Sequence, residues 1–414
     1  MNAAPPHAVA ARPSTDAPPH RVGSTGPGGV RAAHAWLPAG EARDVWLRWD
    51  AEGTLTEVRP GRSSDGPLQP GFVLPGLINA HAHLELSHLH RRVPGGGGFV
   101  PWARALVSSP SRPAEADLVA GAASAAFAFG TAWIHDVTSG DSTAEAIRAA
   151  GMRGVVHREV LGFDAAALRQ RLAALPPAIP FFGGVAERPS PHALLSTPVE
   201  LVVAAVRAGS DLPPATMHFG ETPDERALLE RGEGPCAALL DALGRDWRWW
   251  CPPGVSAAAH LAAHGLLGPR LILVHAVDVD ASDLDLLASS AAPVCLCVRS
   301  NLHISGDTPP VEALVQRGVR LAIGTDSLAS NDDLDPLAEV VALRSVAPTV
   351  PIEVWVGALT HGGADAVGAH GFGRLVTGAA PGVLWLADLD RLDQLDHRPP
   401  DDRRWLCPPG LPRS

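Results

Sequence analysis

FVLPGLINAHAH, residues 72–83, is an apolar run that ends in two histidines two positions apart. Seven further runs of the same kind follow it: TAWIHDV (131–137), GVVHREV (154–160), FFGGVAE (181–187), ATMHFGE (215–221), LILVHAV (271–277), PVCLCV (293–298) and RLAIGTD (320–326). Strands this continuously apolar are buried on both faces, as in a parallel sheet covered by helices. Helix-like segments lie between them, among them AEADLVAGAASAAFAF, STAEAIRAA, STPVELVVAAVRA and ASDLDLLASS. Several open with Ser, Thr or Asp at a plausible N-cap. Eight strand–helix units predict an α/β fold, a TIM-like (β/α)8 barrel over residues 71–374.

The text changes character on either side of that region. Residues 31–70 alternate apolar and polar positions (AHAWLPAG, DVWLRWD, GTLTEVRPG), which reads as short strands joined by turns. After residue 330 come two helical stretches, PLAEVVALRSV and IEVWVGALTHGGADAV, and then a strand-like GVLWLADLDRL. The late strand is expected to pair with the early ones. This predicts a small β-sandwich domain from 31–70 and 375–400, built from both chain ends. Residues 1–30 are Pro, Ala, Gly and Ser without periodicity and read as a disordered tail. HRPPDDRRWLCPPGLPRS at the other end reads as irregular.

Composition removes several classes of function. Apolar residues are 46% and charged residues 19%, enough for a sizeable core and too apolar for a disordered chain. The 42 Gly and 40 Pro imply many turns but follow no collagen-like period. All 33 Lys-or-Arg positions are Arg. Without Lys there is no Schiff-base chemistry, no Walker-type phosphate loop and no metal pair bridged by a carboxylated Lys. A net charge of −11 with no clustered Arg stripe speaks against nucleic acid as partner. No apolar run approaches membrane-spanning length, and the first residues lack a basic segment followed by an apolar core. Cys236, Cys251, Cys295, Cys297 and Cys407 form neither a CxxC pair nor a disulfide framework, so a reducing, cytoplasmic home is expected.

Function in such a barrel belongs at the C-terminal strand ends, and that is where the polar residues fall. The first run ends in His81 and His83, the fifth in His218 and Glu221, the sixth near His275 and the eighth in Asp326. Residues i and i+2 of a strand share a side, so His81 and His83 can meet one metal ion. His218 adds a third nitrogen and Asp326 an oxygen, a donor set suited to Zn(II), Fe(II) or Mn(II). A metal there would activate water for attack. Glu221, three residues past His218, can serve as a proton carrier, although TPDER after it also fits a plain helix opening. His275 can orient the attacking oxygen, or can be an ordinary core histidine.

PGLINAHAHLELS, MHFGETPDE, LVHAV, CVRSN and GTDSLASN together resemble the amidohydrolase superfamily, and within it the mononuclear branch that deaminates nucleosides and aminopurines or dechlorinates triazines. The likeness spans about residues 40–390. AHAHLELS, HFGETPDERALLERGEGPCAALL and LCVRSNLHISG are further similar to the aminodeoxyfutalosine deaminases of the futalosine route to menaquinone. The resemblance implies one divalent transition metal per chain, Zn or Fe, on His81, His83, His218 and Asp326. It implies a nucleoside deaminated by hydrolysis, with Glu221 protonating the ring, His275 aligning the attack and Asp326 passing a proton to the leaving ammonia. SPHALLSTP resembles a substrate-loop motif and makes His192 a substrate residue, with Leu194 and Leu195 where Pro and Tyr are usual. Glu85 joins it from AHAHLELS. Arg299 after the seventh strand is read as a clamp for a substrate carboxylate or as half of a salt bridge to Asp307 or Asp332. Trp102 is read as a ring-stacking or core residue. Deaminases of adenosine, S-adenosylhomocysteine or guanine, a triazine-type chlorohydrolase, and a non-catalytic ligand-binding barrel are the alternatives.

Other features carry less. Gly95–Gly98 follow no phosphate-loop pattern and are read as a flexible lid. Trp247, Trp249 and Trp250 are read as core or as a homodimer interface. His88, His90, His135, His157, His260 and His264 are read as loop, structural or surface residues.

Overall fold

A computed structural model describes residues 26–61, 66–109, 116–163 and 165–410, apart from the side chains of 165–167 and 169. Its strands are β1 (Gly28–Leu37), β2 (Gly40–Trp49), β3 (Leu55–Pro60), β4 (Leu68–Pro75), β5 (Leu77–Ala82), β6 (Thr131–Thr138), β7 (Arg153–Val160), β8 (Ile179–Phe182), β9 (Val185–Pro191), β10 (Ala215–Phe219), β11 (Leu271–His275), β12 (Val294–Leu296), β13 (Leu321–Ile323), β14 (Val383–Leu386) and β15 (Arg403–Cys407). Among the described residues no helix is long and apolar enough to cross a membrane.

All eight apolar runs contribute a strand. They form two arcs of parallel strands, β5-β6-β7-β9 and β10-β11-β12-β13, with β8 added antiparallel beyond β9. Single parallel bridges stand at the two places where the arcs approach: Ala82 with Asp326 and Ala193 with His218. Two runs divide where the sequence shows no break. The 72–83 run splits at Gly76 into β4, which belongs to another sheet, and β5. A Cβ on Gly76 would lie 2.4 Å from Ala132 Cβ and from the Pro381 carbonyl oxygen, so only glycine lets the chain pass between sheet and arc. The 181–187 run splits at Gly183 and Gly184, both at positive φ, into a hairpin.

Helices cover the outer face of each arc. Thr222, Ser256, Asp280 and Asp335 cap theirs by accepting from backbone N–H groups in the first turn. IEVWVGALTHGGADAV is two helices, Ile352–Leu359 and His361–Val367, meeting at Thr360. Most positions of the parallel strands are buried, and in β5, β6 and β11 every residue is. One large apolar cluster fills the interior of the arcs and the helix contacts around the second of them.

Strands from both chain ends form one continuous mixed sheet in the order β15-β14-β4-β1-β2-β3, not two stacked sheets of a sandwich. The sheet curls, bringing the β2–β3 turn at Gly53 beside Cys407 of β15. Of the expected loose segments, residues 1–25 and 411–414 lie outside those described. Gly28–Val30 are already strand, and RRWLC pairs antiparallel with β14. RRWLC was unreadable as a strand because Pro and charge crowd it on both sides.

Three contacts tie this sheet to the arcs. Trp36 donates to Thr360 Oγ1 (3.0 Å) and Trp405 to the Phe127 carbonyl (3.0 Å). Arg403 grips Asp335 with both terminal nitrogens, each at 2.6 Å, and Asp335 caps helix Pro336–Val346. The pair is almost wholly buried, with side chains 6% and 3% exposed. Removing one partner strands the other charge, so Arg403→Met should lose about 3–5 kcal/mol of stability in equilibrium denaturant unfolding. A surface pair such as Arg231–Glu233 should lose less than about 1 kcal/mol on the same change.

Candidate active site

The polar residues singled out in the sequence meet at the C-terminal ends of the two arcs. His81 is in β5 and His83 one residue beyond it, both buried. His83 Nε2 lies 3.1 Å from His81 Nε2 and 3.3 Å from His218 Nε2 on β10. Asp326 Oδ1 is 3.7 Å from Nε2 of both His81 and His83. His275, at the end of β11, stacks on His218 with ring centres 5.5 Å apart. Its Nε2 is 3.6 Å from Glu221 Oε1.

Backbone geometry at these strand ends is unusual for residues with side chains. His275 has φ 80°, Ala276 φ 53° and Asp326 φ 54°. Such left-handed conformations cost energy for non-glycine residues and persist only where the surroundings enforce them. At Asp326 the enforcement is visible. Its N–H and that of Thr325 both donate to the His81 carbonyl at 3.0 Å. Asn79 on β5 holds Thr325 by two hydrogen bonds, Nδ2 to Oγ1 at 2.8 Å and backbone N to Oδ1 at 3.1 Å.

A ring of second partners fixes the side chains. Ser300 and Ser330 hydroxyls donate to Asp326 Oδ2 at 2.5 and 3.1 Å. Asn301 Nδ2 meets His275 Nδ1 at 3.1 Å, and His218 Nδ1 meets the His192 carbonyl at 3.0 Å. Ser300 and Asn301 open the helix Val298–Ile304 directly after β12, so CVRSN supplies positioning groups that residue type alone did not announce.

Electrostatics separates the acids from the bases. Burial pushes His81, His83 and His218 below the ordinary imidazole range, His83 to about 3, and their mutual proximity adds to it. They are neutral, with lone pairs aimed inward. Nitrogens 3.1–3.3 Å apart match the spacing, about 3.0–3.4 Å, of imidazoles that share one ion at about 2.1 Å. His81, His83 and His218 could therefore hold a metal ion, with Asp326 Oδ1 the fourth donor at hand. Burial alone would raise Asp326, but the facing His83 and His275 and the Ser300 hydroxyl outweigh it and keep the carboxyl below its usual range. Glu221 moves the other way. Burial, then Asp326 and Glu225, push it well above the usual carboxyl range, which favours its protonated form.

The sequence-proposed substrate residues divide. His192 is at the centre, its ring 4.9 Å from that of His218 and its Nδ1 2.5 Å from Ser196 Oγ. Glu85 Oε2 accepts from Thr138 Oγ1 and from the N–H groups of Ser139 and Gly140, at 2.7, 2.9 and 3.0 Å, and so ties the loop after β6 to the site. Arg299 Nη1 donates to Asp333 Oδ1 at 2.6 Å, making Asp333 its partner rather than Asp307 or Asp332. Trp102 is buried in a second apolar cluster with Phe99, Phe163 and Trp247, its indole reaching the Ala329 carbonyl at 3.4 Å. Gly95–Gly98 are not loose: Gly96 and Gly98 N–H groups donate to carbonyls of His303 and Ile304. Trp247 is buried, while Trp249 is 39% exposed and bonds the Phe163 carbonyl.

Two groups were missed by the sequence reading. Glu159 on β7 offers a carboxylate oxygen within 4.8 Å of ring nitrogens of His192 and His218, and burial raises it to about 7. Its place next to the C-terminal end of a parallel strand was the available signal. His135 and His157, read as unremarkable, form a buried chain: His157 Nδ1 to Ser190 Oγ at 2.6 Å and His157 Nε2 to His135 Nδ1 at 2.9 Å.

The chain has likenesses to known proteins in sequence and in fold. The model of the Amidohydrolase family matches residues 72–390. A 5-methylthioadenosine/S-adenosylhomocysteine deaminase of Syntrophobacter fumaroxidans is 30% identical, over 83% of this chain and 76% of the relative. Among solved structures, Helicobacter pylori aminofutalosine deaminase with methylthio-coformycin superposes with TM-score 0.73 at 18% identity, covering 88% of this chain and 94% of that one. An adenosine deaminase from Xanthomonas campestris with bound zinc gives TM-score 0.67 at 23% identity, covering 90% and 89%. The last two likenesses concern the fold.

Elemental analysis of purified protein should find about one divalent transition-metal ion per chain, identify it, and find almost none in His218→Ala. Chelation of the wild type should lower its thermal midpoint, because bound metal stabilises the folded state. His218→Ala should show no further drop with chelator.

Proposed function

This chain belongs to the Amidohydrolase family, and on that premise we propose that it is a metal-dependent hydrolytic deaminase of an adenosine-type nucleoside. The supporting observation is the buried Glu221 carboxyl 3.6 Å from His275 Nε2, beside three imidazoles whose Nε2 atoms converge; burial raises the Glu221 pKa, which favours the proton-carrying form. A proton donor and a metal-ready donor set side by side suit attack on a ring carbon that carries an amine. We read the two arcs as one (β/α)8 barrel with seams at the Ala82–Asp326 and Ala193–His218 bridges. The curled sheet of both chain ends is its accessory domain.

His81, His83, His218 and Asp326 would hold one zinc or iron ion. When bound, that ion supplies Lewis-acid activation of water. Glu221 gives its proton to the ring nitrogen next to the carbon under attack, and so stabilises the charge that develops there. His275, fixed by Asn301, keeps the attacking oxygen in line. Asp326, steadied by the Ser300 and Ser330 hydroxyls, takes a proton during attack and returns it to the departing ammonia. His192 lies on the wall where the rest of the nucleoside sits.

Arg158 and Arg299, at the C-terminal ends of β7 and β12, are both held by carboxylates, Arg158 by Glu187 and Arg299 by Asp333. That favours an uncharged nucleoside such as adenosine or 5-methylthioadenosine over one needing a carboxylate clamp. Aminodeoxyfutalosine is the second reading, supported by the HFGETPDERALLERGEGPCAALL and LCVRSNLHISG texts.

An ammonia-release screen should rank adenosine and 5-methylthioadenosine above S-adenosylhomocysteine and aminodeoxyfutalosine in kcat/KM. Turnover of aminodeoxyfutalosine alone would select the second reading, and no release from any adenine nucleoside would reject both. Glu221→Gln keeps the size and removes the proton, so kcat should fall roughly 10²- to 10⁴-fold with metal content unchanged.

A further inference from the structure

Strand β7 alternates its side chains in the way its neighbours require. Val155 joins the cluster inside the arcs, while Val156 joins the cluster beneath the helices outside. His157 points inward again, bonding Ser190 and His135. Two residues on, Glu159 falls on the same inward side, at the C-terminal end where the site opens. Its carboxylate comes within 4.8 Å of ring nitrogens of both His192 and His218.

Glu159 Oε1 has no solvent-accessible area to speak of and no hydrogen-bond partner among the described residues. Buried acceptors are normally matched by a donor, because an unmatched one costs its whole desolvation. The neighbours do not provide that donor. Arg158 turns to the other face of the strand, toward Glu187, Asp141 and the Gly140 carbonyl. His192 Nδ1 and His218 Nδ1 are taken by Ser196 and by the His192 carbonyl. Glu85 is a second carboxylate, already filled on one oxygen by three donors of residues 138–140. The residue as a whole is only half-buried, so a molecule bound in the site can approach the carboxylate and bring the O–H or N–H group that its neighbours lack.

Resting on the nucleoside reading above, we propose that Glu159 is a specificity residue that accepts a hydrogen bond from a hydroxyl on the sugar half of the substrate. Purine and metal-site residues fix where the ring reacts, and Glu159 then reads whether the non-ring half carries a donor. The chemical class selected is a ribonucleoside-like, hydroxyl-bearing substrate, against free bases and deoxy analogues.

The test needs adenosine, 2′-deoxyadenosine and 3′-deoxyadenosine with the metal-loaded wild type, Glu159→Leu and Glu159→Gln. In the wild type, one of the two deoxy analogues should lose roughly 5- to 50-fold in kcat/KM, the scale of one hydrogen bond to a partly ionised carboxyl. Glu159→Leu should lose a similar factor on adenosine and then fail to distinguish adenosine from that analogue. Glu159→Gln keeps a carbonyl acceptor and should retain part of the discrimination. Metal content should match the wild type in both variants. Equal turnover of all three nucleosides by the wild type overturns the proposal without any variant. So does undiminished discrimination in Glu159→Leu, or loss of metal from it, which would make Glu159 a support of the imidazole cluster. Absence of ammonia release from every nucleoside would instead reject the deaminase reading itself.

Discussion

Three neutral imidazoles aimed at one point make the constraint around which this molecule is arranged. His81, His83 and His218 place their Nε2 atoms 3.1 and 3.3 Å apart, too close for uncharged lone pairs to be left facing one another at no cost. Burial removes the option of protonating them. A bound cation would resolve the conflict, and one carboxylate oxygen stands near enough to serve as a further donor. That oxygen arrives on Asp326, whose left-handed backbone is enforced by the His81 carbonyl. The same contact lies beside the bridge between the first and last of the parallel strands, so the chemistry and the meeting of the two arcs share their atoms.

Two neighbouring carboxyls have their pKa values moved in opposite directions by their surroundings. Asp326 faces His83 and His275 and receives two serine hydroxyls, so it stays ionised despite burial. Glu221 has burial without that compensation, and Asp326 and Glu225 beside it oppose a further negative charge. One cleft thereby holds a carboxyl biased toward its proton beside one biased toward ionisation. The division is a property of environment rather than of residue type.

The curled sheet from the two chain ends contributes no side chain to this cluster, yet it fixes the helices that follow the last strand. Arg403 reaches from β15 to the Asp335 cap, and Trp36 from β1 to Thr360 at the junction of two helices. Asn331 and Glu339 extend the same support toward the site, since Asn331 bonds both the Thr325 carbonyl and Glu339 Oε1 at 2.9 Å. Stability of the accessory sheet and geometry of Asp326 are thus linked through a short run of contacts.

The sequence by itself determined the eight parallel strands and the six residues His81, His83, His218, Glu221, His275 and Asp326. The reason is that burial on both faces writes a continuous apolar run, and each polar residue stands where that run stops. CVRSN marked a likeness to a family, but only the fold shows that its Ser300 and Asn301 hold Asp326 and His275. Only the tertiary structure decided which sheet β4 belongs to, because Gly76 breaks the run through close packing with Ala132 and Pro381 and not through composition. It alone gave Arg299 to Asp333 and Glu85 to the 138–140 loop, since salt bridges and loop anchors join residues with no local spacing rule. Glu159 stayed hidden for the same kind of reason. A single acid near a strand end has no pattern to announce it, and its meaning comes from His192 and His218 being folded against it.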